Sequence, residues 1–114
     1  MTDPESILAK LAAVIDSRRR ERPAGSYTVE LLDAGLAVIA AKVIEEAYEL
    51  VHAIGDNDTP DRAAVAHEAA DVVYHLLVFL AACECPWSDV ERELTQRFGV
   101  SGLVEKASRP RELK

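Results

Sequence analysis

A chain of 114 residues, 49% of them hydrophobic, has the length of one compact domain, and residues 1–114 are read as a single unit. Abundant Ala, Leu, Val and Glu, with only 5% aromatic residues and five glycines, favour helix over sheet and point to an all-α fold. Twenty acidic residues against 13 basic give a formal net charge of −7, which argues against nucleic acid or an anionic membrane as partner.

The first helix is expected to start at Asp3-Pro4-Glu5, where a side-chain acceptor, a preset ring and an acid suit the positive end of a helix. It carries Leu8, Leu11, Ala12 and Ile15, reaches the basic cluster Arg18–Arg20, and breaks at "RPAGSY". Gly35 and Gly55 bracket a strong helix in which Leu36, Ile39, Val43, Ala47, Leu50 and Ile54 recur with the helical period. Thr59 as cap and Pro60 in the first turn are expected to open the next helix, about residues 60 to 83. Its second half is apolar nearly all round, as in a helix buried in a bundle or against a partner chain. "SDVE", Ser88 to Glu91, reads as a capping box for a further helix ending before Gly99, and Ser101 to Lys114 as a short helix with a basic tail. The result is a bundle of four to five helices with short loops.

The N-terminus has no apolar leader, and the longest near-apolar run, Val72 to Cys83, is too short for a bilayer and is interrupted by His75, so a cytoplasmic protein with no membrane partner is expected. Cys83 and Cys85, one residue apart, suit neither a staple nor a zinc ribbon and are read as reduced, incidental thiols.

"KVIEEAYEL", residues 42 to 50, crowds three glutamates into one amphipathic helix, although like charges at helical spacing cost about 0.2–0.5 kcal/mol a pair. At about 100° per residue, Glu46 borders the apolar stripe, Glu49 lies farther round on the same side, and Glu45 points nearly opposite. "HEAADVVYH" on the next helix sets Glu68, Asp71 and His75 on one stripe of an Ala/Val/Leu-rich rod. Two carboxylate pairs at i,i+3, on helices meeting as an antiparallel hairpin, gather four oxygen ligands suited to Mg²⁺, with Mn²⁺ as substitute. They suit zinc poorly, and in "HEAAD" the second histidine of a zinc motif is replaced by Asp71. Ordinary solvated charge, some of it paired with Lys42 or arginines, is the alternative; it has at least equal weight for Glu45 alone and little for the four acids together.

"KVIEEAYE" followed by "EAADVVYHLLV" resembles the E-E-x-x-E and E-x-x-D signature of the all-α, MazG-like nucleotide pyrophosphohydrolases. "GSYT" at Gly25 to Thr28, "YHLLV" at Tyr74 to Val78 and "GVSGLVEKASR" at Gly99 to Arg109 are similar to one family within that group, the phosphoribosyl-ATP pyrophosphohydrolases of histidine biosynthesis. The resemblance implies Mg²⁺-dependent hydrolysis of phosphoribosyl-ATP to phosphoribosyl-AMP and pyrophosphate by a homodimer. It implies metal ligands at Glu46, Glu49, Glu68 and Asp71, the four that helix geometry selects. Glu45 is implied as an accessory catalytic group beside Glu46, and Lys42, Lys106 and Arg109 as phosphate contacts. His75, from its place on the acidic stripe, is expected to orient a ligand, with a satisfied core role its equal alternative.

Ile44 stands where that family usually has glycine and Tyr48 where a smaller residue is common, and "CECPW" is also unlike the usual sequence. Ile44 is expected to project away from the carboxylates and to alter packing rather than metal binding. The rival readings are a housecleaning nucleoside triphosphate pyrophosphohydrolase, which has no need of "SGLVEKASR", and a non-catalytic helical dimer that binds metal or nucleotide.

Overall fold

A computed structural model of the chain describes residues 6–55 and 59–99, which form five helices and no strand. Helix α1, Ile7–Glu21, starts at Ser6, whose hydroxyl accepts the Ala9 N–H at 3.1 Å. The cap expected at Asp3 is thus replaced by Ser6, and Asp3 to Glu5 lie outside the described residues. Arg18, Arg19 and Arg20 occupy the last turn, at the negative end of the helix dipole. Asp16 receives both Arg19, at 2.8 Å, and Arg20, at 3.1 Å, and the Arg19 hydrogen bond holds its carboxyl below the ordinary range. Arg22 closes the helix in the left-handed conformation and pairs with Asp33 of the next helix.

Helix α2, Tyr27–Ala34, is capped by Ser26, which accepts the Val29 N–H at 3.2 Å. Gly35, at φ 100°, ends α2 and begins α3, Leu36–His52; this reversal between consecutive helices needs a backbone conformation that L side chains rarely adopt. Helix α4, Arg62–Ala82, is capped not by Thr59 but by Asp61, whose carboxylate accepts the Ala63 and Ala64 N–H groups at 3.0 and 3.3 Å. Helix α5, Trp87–Phe98, begins after Pro86 without a side-chain cap. The box expected at Ser88 to Glu91 is absent because both residues are already inside the helix. The helix ends before Gly99 as the sequence predicts; a Cβ on Gly99 would meet the Thr95 carbonyl oxygen at 2.6 Å.

Helix α4 is the centre of the molecule. It packs most extensively on α3, joined to it by the short connection 53–61, and also on α1 and α2. Ile15 of α1, Leu31 of α2, Ile39 of α3, and Leu77 and Val78 of α4 form the buried core, with Leu11, Val73, Phe79 and Trp87 packed around it. An 18-residue window of α4 has a mean hydropathy of 1.4, so by length and composition the helix is long and apolar enough to cross a membrane. That window is longer than the run Val72–Cys83 because it takes in the alanine-rich first half of the helix. Here that apolarity serves packing against three neighbouring helices.

The outer side of α3 is uncovered. Ile44, Tyr48 and Val51 recur at i, i+4 and i+7 and are 71%, 64% and 63% exposed, in line with exposed Ala37 and Ala41. Ile44 does point away from the core-facing side. The Tyr48 ring lies against that of His52, centroids 4.1 Å apart.

Candidate active site

Of the three acids on α3 only Glu46 is buried, while Glu45 and Glu49 are exposed. Glu46 is only 7% exposed, and the Lys42 ammonium one turn earlier lies 3.5 Å from its Oε2. Lys42 also donates to Glu45 Oε1 at 3.1 Å, and that hydrogen bond raises the lysine above its ordinary value, so it stays charged at neutral pH. Glu45 is exposed, as its position opposite the apolar stripe predicts. Carboxylate oxygens of Glu45, Glu46 and Glu49 lie within 4.8 Å of one another. One cation, Lys42, serves the first two.

Glu49 is where the two helices meet electrically. Its carboxyl is raised above the ordinary value, first by the Glu46 charge, then by desolvation, and then by Glu68 across the hairpin. On α4, ligand atoms of His67, Glu68 and Asp71 also lie within 4.8 Å of one another. Glu68 Oε1 is buried without any hydrogen-bond partner. A buried carboxylate oxygen left unpartnered costs more than a neutral acceptor, because its charge favours water. The four oxygen-bearing side chains selected from sequence thus come from facing helices. Hard anionic donors, one of them unpartnered, fit a divalent cation such as Mg²⁺.

Helix α2 forms the flank. The His75 Nδ1–H donates to the Asp71 carbonyl at 2.7 Å, which leaves Nε2 to accept from the Tyr27 hydroxyl at 3.4 Å. His75 is buried, and its hydrogen bond to the acidic stripe is to the Asp71 main chain. The Tyr74 hydroxyl is hydrogen-bonded to Thr28 Oγ1, and burial raises Tyr74 above the ordinary phenol value. The Tyr27 and Tyr74 rings stack with centroids 6.2 Å apart. "GSYT" and "YHLLV" are therefore two sides of one contact between α2 and α4.

Two groups went unselected in the sequence. His67 lies one turn before Asp71, with Nε2 3.7 Å from Asp71 Oδ2; its signal was the histidine of "HEAAD", discounted once the zinc reading failed. Tyr27 stands in "GSYT", but nothing local gives it a role, since its partners lie 47 to 48 residues away. Lys106 and Arg109 lie outside the described residues.

Against known proteins, residues 8–98 match the family profile described as phosphoribosyl-ATP pyrophosphohydrolase. A phosphoribosyl-ATP pyrophosphatase of Rhodopirellula baltica is 43% identical over 109 residues, 94% of this chain and 91% of the relative. The protein of the same name from a Jannaschia species is 48% identical, covering 90% of this chain and 97% of the relative. That from Trichlorobacter lovleyi is 46% identical, covering 96% and 98%.

Proposed function

The chain belongs to the phosphoribosyl-ATP pyrophosphohydrolase family, and from that membership we propose how its residues carry out the reaction. The protein is a phosphoribosyl-ATP pyrophosphatase of the histidine pathway, converting its substrate to phosphoribosyl-AMP and pyrophosphate. Glu46, Glu49, Glu68 and Asp71 are proposed to hold Mg²⁺, or Mn²⁺ in its place. The observation that carries this reading is the buried Glu68 Oε1, left without a hydrogen-bond partner on the helix that packs most extensively against the one bearing Glu45, Glu46 and Glu49.

When bound, the cation would neutralise phosphate oxygens and lower the pKa of a coordinated water. The chain's own residues supply the rest. Lys42, kept charged by Glu45 and Glu46, is proposed to take a phosphate oxygen and to stabilise charge on the departing pyrophosphate. Glu45 holds the lysine in place and offers an exposed oxygen beside the reacting group. The Tyr27–His75 and Thr28–Tyr74 contacts fix α2 against α4, so that the flank of the site is rigid.

A second copy of the chain is proposed as partner. Among the described residues a core of five buried apolar side chains is small, and Ile44, Tyr48 and Val51 form an apolar stripe that a copy of the same surface would cover. The sequence suggested a partner over the second half of α4; the more exposed apolar surface lies on α3.

Purified protein with phosphoribosyl-ATP and Mg²⁺ should release pyrophosphate, lose that activity on chelation, and regain it with Mg²⁺ or Mn²⁺. Turnover that persists in chelator would refute the metal assignment.

A further inference from the structure

The half of the proposed metal site that α4 supplies contains a nitrogen as well as two carboxylates. Ligand atoms of His67, Glu68 and Asp71 lie within 4.8 Å of one another. His67 and Asp71, at i and i+4, share one side of the helix. The cluster runs from the buried, unpartnered Glu68 Oε1 outward through the Asp71 side chain, 41% exposed, to that of His67, 73% exposed. An ion arriving from solvent meets the imidazole first and the unpartnered oxygen last.

The spacing decides between a direct contact and a shared ligand. His67 Nε2 and Asp71 Oδ2 are 3.7 Å apart, longer than a hydrogen bond. Two donors each about 2.0–2.2 Å from one cation stand about 3–4 Å apart. The pair thus has the separation of two groups sharing an ion. The other histidines are occupied elsewhere. His52 Nδ1 lies 3.0 Å from the Tyr48 carbonyl oxygen, with its ring against that of Tyr48. Both ring nitrogens of His75 are engaged, with the Asp71 carbonyl and the Tyr27 hydroxyl. Among the described residues, His67 is the histidine whose ring nitrogen stands beside these carboxylates.

We infer that His67 is an added ligand of this site, a nitrogen donor that tilts its preference from Mg²⁺ towards first-row transition cations such as Co²⁺ and Mn²⁺. The inference rests on the metal reading above and deepens it. Mg²⁺ is a hard cation served by oxygen, so an imidazole adds little to its binding, whereas the same imidazole is a good ligand for first-row transition metals. The carboxylates then determine that a divalent cation binds, and His67 which cation binds best.

The test uses the full chain without substrate at one mildly alkaline pH, since a ring nitrogen ligates only when deprotonated. Calorimetric titrations with Mg²⁺ and with Co²⁺ compare wild type, His67→Gln and Glu68→Gln. Pulsed electron paramagnetic resonance of the Mn²⁺-loaded proteins reads nitrogen coupling at the metal. His67→Gln is expected to weaken Co²⁺ binding about tenfold, to leave Mg²⁺ affinity within about twofold, and to remove a nitrogen coupling that wild type shows. Equal weakening of both cations would make His67 a support for Asp71, and unchanged Co²⁺ affinity or no nitrogen coupling in wild type would make it a solvated helix residue; each overturns the inference. Mg²⁺ binding that Glu68→Gln weakens would still uphold the carboxylate site in those cases, whereas a wild type that binds neither cation would overturn both.

Discussion

Glu68→Gln separates a metal ligand from a buried helix charge. The substitution keeps shape and one oxygen, removes a charge that acts on Glu49, and places an amide where Oε1 had no partner. Leaving such a group unsatisfied costs about 1–3 kcal/mol, offset by the relief of repulsion, so without metal the variant should melt within a few degrees of wild type. With Mg²⁺ at about 100 times its Kd, wild type gains about 2.7 kcal/mol, which for a small domain is a rise of about 10–20 °C. Changing a group that merely orients a ligand weakens metal affinity about 10–100-fold, so loss of a ligand itself is set at about 100-fold. The variant then gains only about 0.4 kcal/mol at the same Mg²⁺ concentration, or about 2–3 °C. Scanning calorimetry at one fixed protein concentration, in chelator and in Mg²⁺, reads both numbers. Equal Mg²⁺-induced rises in the two proteins would refute the assignment of Glu68 to the metal.

Lys42→Ala should lower kcat/KM about 10–100-fold, as expected for a lost charged hydrogen bond to phosphate, yet keep the Mg²⁺-induced melting shift; a lost shift would assign Lys42 to the carboxylates alone. The raised Glu49 carboxyl sets a pH dependence for metal-free protein. Between its unfolded and raised folded pKa the native state binds more protons, so the Glu49 penalty is full above the folded value and is relieved as pH falls through it. Asp16 acts oppositely, its contribution being lost only below its ordinary 3.8. The melting temperature should thus gain from Glu49 as pH falls from neutral towards its ordinary 4.5, and saturating Mg²⁺ should abolish that gain; a Glu49→Gln variant with the same pH profile as wild type would contradict the Glu46–Glu49–Glu68 coupling. Ile44→Asp should convert a sedimenting dimer to monomer at micromolar concentration, and an unchanged dimer would move the interface off the outer stripe of α3.

The two long helices were legible because their apolar residues keep the helical period over many turns, and the four acids because i,i+3 spacing on such helices fixes direction. Helix ends were not. Asp61 displaced Thr59 because its carboxylate accepts two N–H groups, a competition among neighbouring acceptors that pattern alone does not rank. Helix α2, eight residues long, is too short to show a period, and its role depends on the distant partners Tyr74 and His75. For the same reason the contact of His75 with Tyr27 is invisible in the sequence.

The four proposed ligands lie between Glu46 and Asp71, on two helices joined by one short connection. Contacts so near in sequence close early, because the entropy of loop closure is small compared with that of docking α1 or α2. Yet it is this early pairing that brings like charges together, so the hairpin meets its electrostatic barrier before the rest of the core can offset it. A divalent cation held by both helices would act at that stage, accelerating folding as well as slowing unfolding. Were the proposed site to bind its cation in this way, metal supply during synthesis, and not only during turnover, would govern how much active protein accumulates.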